Sequence, residues 1–121
     1  MATFLATNNA AGLIAAFNQA IANHARHSGS PRVTTWKHVV HEGNNFYMHT
    51  AQEWTSKAWF RGDAEPNRAA FYIKPVQNVI LTRTVYAYYA GHLIETFIRD
   101  FPTLFTGAQA TPSAVGADAQ F

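Results

Sequence analysis

The stretch from residue 54 to residue 74 constrains this chain more than any other. Its side chains alternate in character with a period of two, as a half-buried strand pair requires. Turn chemistry, Gly62-Asp63-Ala64-Glu65-Pro66-Asn67, interrupts it. A hairpin of 54–61 with 68–74 follows. With Arg61 opposite Arg68, Phe60 meets Ala69, Ala58 meets Phe71 and Ser56 meets Ile73. Large side chains then face small ones on an apolar side. The other side carries Lys57, Trp59, Arg61, Arg68, Tyr72 and Lys74. A slip of one residue would mix the two sets.

A second hairpin precedes it, 32–41 with 46–50, around Glu42-Gly43-Asn44-Asn45. Pairing His41 with Phe46 sets His38 opposite His49 and Val40 opposite Tyr47, on the side that also holds Trp36. The reverse side holds Val39 opposite Met48. If Val33, Val39, Phe46 and Met48 join the core, then Trp36, His38, Tyr47 and His49 face outward.

Helical patterns flank this β-rich centre. Leu13, Ile14, Phe17, Ala20 and Ile21 recur at three and four residues, which predicts a helix from Asn8 or Asn9 to about His27. His24, Arg26 and His27 suit its last turn, and Gly29 and Pro31 end it. Tyr86, Tyr89, Leu93, Phe97 and Phe101 form a second stripe, with Pro102 as its stop. That helix starts near Thr82 or Thr84, after a short strand or directly. Residues 1–8 read as a flexible lead-in. Residues 107–121 are small, polar and aperiodic and read as a disordered tail. The expected architecture is one α+β domain over 9–106. It has an N-terminal helix, an antiparallel sheet of about four strands in two hairpins, and a C-terminal helix.

Composition narrows the chemistry. The chain has no cysteine, which removes disulfides, thiolate metal sites and thiol nucleophiles. No apolar run reaches the roughly 20 residues of a membrane helix, so no membrane partner and a cytoplasmic location are expected. Nine Lys/Arg stand against seven Asp/Glu, and charged residues are only 13% of the chain. Ser28, Ser30, Ser56 and Ser113 lie outside any nucleophile elbow, and the glycines form no phosphate loop. No enzyme class or cofactor follows, and no motif assigns a family.

Aromatics are 14% of the residues, and the expected outer sheet face collects many of them. Trp36, Tyr47, Lys57, Trp59, Arg61, Arg68, Tyr72 and Lys74 would interleave rings with cations there. Such a face fits a protein partner or a homodimer, because Trp, Tyr and Arg are enriched at interfaces. Alternatively it binds single-stranded nucleic acid, with rings as stacking platforms and cations on phosphates. A sheet covered on both sides by helices would instead bury those rings. The cross-strand pair His38 and His49 is the candidate metal site.

Overall fold

A computed structural model describes residues 1–23 and 33–112. Its elements run β1 (Ala2–Ala6), α1 (Ala10–Asn23), β2 (Trp36–His41), β3 (Asn44–His49), β4 (Ala58–Glu65), β5 (Arg68–Pro75), α2 (Arg83–Asp100) and β6 (Gly107–Ala110). The six strands form one antiparallel sheet in the order β2-β3-β4-β5-β1-β6. The α+β class holds, but the sheet has six strands rather than about four.

The two additional strands correct the expected ends of the domain. The lead-in is in fact β1, inserted between β5 and β6. Thr3 and Leu5 face the main core, while Ala2 and Phe4 bury against Ala70 and Tyr72 on the reverse side. The start of the expected tail is β6. Its composition, Gly-Ala-Gln-Ala, has no strand signal, and pairing with β1 imposes the conformation. The Thr111 amide donates to the Ala2 carbonyl at 2.9 Å, and the Thr106 amide to that of Ala6 at 2.8 Å. Residues 113–121 of the expected tail lie outside the described residues.

Both helices form where the apolar stripes predict. Asn9 caps α1 by accepting the Gly12 amide at 3.0 Å. The expected helix end at His24, Arg26 and His27 lies outside the described residues. Thr82 caps α2 by accepting the Val85 amide at 3.2 Å, and the Phe101 amide closes the helix onto Phe97. The short strand expected just before α2 does not form: residues 76–82 hold no strand.

The two helices lie on the same side of the sheet. Leu13, Phe17 and Ile21 of α1 share one buried cluster with Tyr89, Leu93 and Phe97 of α2. The Phe17 and Phe97 rings meet at 4.8 Å. The alternative of one helix on each side of the sheet is thereby overturned.

Each hairpin closes more tightly than its turn chemistry suggests. Glu42 and Gly43 take left-handed φ of 50 and 77, so a two-residue turn pairs His41 with Asn44. Pro66 and Asn67 (φ 64) make the other turn, pairing Glu65 with Arg68 and Phe60 with Ile73. Relative to the expected pairings, the first hairpin shifts by two residues and the second by four. Both shifts are even, so each strand keeps its two faces.

Candidate interaction surface

Strand β3 joins the hairpins by pairing Tyr47 with Phe60. That contact decides which side of the first hairpin is core. Trp36, Tyr47 and His49 join Phe60 and Phe71 beneath the helices, with Trp36 and Tyr47 at 1% and 0% exposure. Trp36 donates its indole N–H to Thr96 Oγ1 at 3.1 Å. Tyr47 donates its hydroxyl to Asn18, and burial pushes its phenol well above the usual range. Trp36 and Tyr47 therefore leave the expected outer face. Val39 and Met48, expected in the core, lie on that face instead, with Val39 41% exposed. Trp36 and Tyr47 fill the deep space under the helices, and Val39, Phe46 and Met48 face away.

Of the expected surface residues, Trp59, Arg61, Arg68, Tyr72 and Lys74 share the side of the sheet that no described helix covers. Lys57 lies outside the strands, in the turn before β4, bonded through its backbone to Trp54 and Val76. The face divides into two halves of different chemistry.

The half over β4, β5 and β1 satisfies itself. Arg61 pairs with Asp63 at 3.0 Å and Arg68 with Glu65 at 2.8 Å. The Arg68 guanidinium lies 3.8 Å over the Phe4 ring, and Arg61 lies 5.6 Å over Tyr72. Tyr72 donates its hydroxyl to Glu65. Burial, that bond and the carboxylate charge push the Tyr72 phenol up to about 12. Two cations are thus matched by two acids of β4, and Tyr72 is only 4% exposed.

The half over β2 and β3, reaching Trp59 of β4 and the Lys74–Pro75 end of β5, is open. Phe46 meets Trp59 edge-on at 5.7 Å, and His41 tilts toward Phe46. With Val39, Lys74 and Pro75 they line a depression of about 480 Å³. Its walls are mostly hydrocarbon and ring, with the Lys74 amine and the His41 imidazole as polar elements. The sequence reading missed Val39, Phe46 and His41 here. Phe46 adjoins Tyr47, so a face assignment inverted for one is inverted for the other.

The expected His38/His49 pair does not form. His38 is aligned with Tyr47, stacks on its ring at 5.1 Å and bonds Asn45 at 2.7 Å. His49 is aligned with Trp36 and points into the core, where its Nε2 lies 3.3 Å from Nδ1 of His92. The Ala51 amide donates to His49 Nδ1 at 3.0 Å, so the His49 proton is on Nε2 and is given to His92. A metal at Nε2 would have to displace that proton. Among the described residues no group of three His, Asp or Glu is placed to hold a metal ion. Desolvation, and then the His92 charge, hold the His49 imidazole below its ordinary value. Among the described residues, no helix is long and apolar enough to cross a membrane.

No family model matches the chain, and no significant match is found among curated proteins or solved structures.

Proposed function

We propose that the protein is a non-enzymatic interaction module that associates with a second copy of itself through the β2 end of its helix-free sheet face. The observation that carries this reading is the Val39–Phe46–Trp59 depression on the side that no described helix covers. Apolar, ring-rich patches rimmed by polar groups are the usual sign of a protein contact. The Lys74 and His41 rim suits recognition at the edge of such a patch. Single-strand nucleic-acid binding draws less support. It would need open cations beside open rings, and here Arg61 and Arg68 are held by Asp63 and Glu65.

Sedimentation equilibrium over a wide concentration range tests the proposal. The chain is expected to self-associate, and Trp59→Ala is expected to weaken association. A monomer at every concentration, unchanged by Trp59→Ala, would reject it. Oligonucleotide binding that fades with salt and is lost in Lys74→Glu would favour the nucleic-acid reading instead.

A further inference from the structure

Among the described residues the sheet has two unpaired edges, and they differ. β6 is four residues long and made of Gly, Ala and Gln. β2 is six residues long, Trp-Lys-His-Val-Val-His, without proline. Val39 and Val40 are 41% and 62% exposed on opposite faces of it. No described residue pairs with this edge. Soluble proteins normally guard such an edge with charge, proline or a bulge. Here the only strongly charged guard within the strand is Lys37.

The hairpin fixes which backbone groups point outward. Residues flanking a two-residue turn exchange both backbone bonds, so His41 faces Asn44. The Thr50 amide donates to the Thr35 carbonyl at 2.9 Å, which continues the same parity. Odd-numbered residues of this strand bond to β3. The N–H and C=O of His38 and Val40 therefore face the free edge.

From this edge we infer that two copies pair β2 to β2, antiparallel, about a two-fold axis at Val39. This rests on the self-association proposed above and places its seam at the Val39 border of the depression, where Phe46, aligned with Val39 and in contact with Trp59, backs the contact. In that register His38 of each copy exchanges both backbone bonds with Val40 of the other. Val39 meets Val39 of the second copy on the groove side, and Val40 meets His38 on the reverse side. Lys37 at one end comes opposite His41 of the second copy, whose imidazole lies 3.8 Å from the Glu42 carboxylate. Antiparallel pairing thus brings each Lys37 toward the Glu42 carboxylate that adjoins His41 of the second copy. A parallel copy would set Lys37 against Lys37. The axis is perpendicular to the sheet, so both helix-free faces turn the same way. The two depressions, each bordered by Val39, then abut in one continuous apolar trough across a twelve-stranded sheet.

The absence of cysteine makes the test direct. Val39→Cys places two thiols at a non-hydrogen-bonded pair, where Cα atoms lie about 4.5 Å apart, within disulfide reach. With oxidised glutathione as oxidant, Val39→Cys is expected to give a disulfide dimer, and Gln109→Cys on β6 is not. Val40→Lys lies outside the groove, and it is expected to weaken association by about tenfold or more in sedimentation. Equal crosslinking of Val39→Cys and Gln109→Cys, with association that responds to Trp59→Ala but not Val40→Lys, would overturn the edge pairing and leave self-association standing. A monomer at all concentrations would overturn both.

Discussion

Gly62→Ala tests the assignment of the two sheet faces through the sign of one stability change. Gly62 lies inside β4 on the helix-covered side. A Cβ there would come within 2.7 Å of Tyr47 Cε2 and 3.2 Å of Phe71 Cε1. Carbon contacts are favourable near about 3.5–4.0 Å, so at least one ring must move. Neither is free to do so. Phe17 lies 4.8 Å from the Tyr47 ring and 6.1 Å from the Phe71 ring, and Phe97 lies 5.7 Å from Phe71. Overpacking of this kind costs about 1–3 kcal/mol. Replacing glycine within a strand returns about 0.5–1 kcal/mol. The net expectation is a loss of about 0.5–2 kcal/mol by urea unfolding, with an unchanged denaturant slope. Gly91→Ala is the matched control. It sits in α2 with nothing within 4 Å of the added methyl, so it is expected to gain about 1 kcal/mol. A neutral or stabilising Gly62→Ala would refute the packing of Tyr47 and Phe71 over this position, and with it the choice of core face.

Further predictions follow from the buried polar groups. Tyr47→Phe removes the hydroxyl that bonds Asn18 and is expected to lower stability by about 1 kcal/mol; an unchanged urea midpoint would place Tyr47 on the exposed face. His49 has a folded value below the ordinary 6.5, so below pH 6.5 the unfolded chain takes up its proton first. Its contribution to stability is therefore intact above pH 6.5 and falls as pH drops from there toward the lower folded value. His49→Asn, whose side-chain oxygen can still accept the Ala51 amide, is expected to flatten the profile of urea midpoint against pH. An identical profile in wild type and variant would remove His49 as the cause.

The legible parts of the fold were those written in local pattern. The α2 stripe with its Thr82 cap and Pro102 stop needed no distant partner. The same holds for the alternation of Ala58, Phe60, Phe71 and Ile73. Gly62 through Glu65 misled because their composition is that of a turn. In the fold they continue β4 for a packing reason. Gly62 makes room for two rings, and Asp63 and Glu65 are acidic because each meets an arginine. The core side of the first hairpin was not legible, since the Tyr47–Phe60 pairing between β3 and β4 decides it. β1 and β6 were hidden for a related reason. They are short, and they join through contacts more than 60 residues away along the chain. At the candidate surface, Trp59 and Lys74 were found because the second hairpin kept its faces. Phe46 and Val39 were missed because the first was inverted.

A dilution series followed by amide and indole NMR shifts bears most directly on the central claim that the β2 end of the helix-free face is the contact surface. Concentration-dependent shifts are expected at Lys37–His41, Phe46 and the Trp59 indole, with the exposed side of α2 around Ile98 unmoved. Spectra that do not change with concentration, or shifts confined to α2, would contradict it.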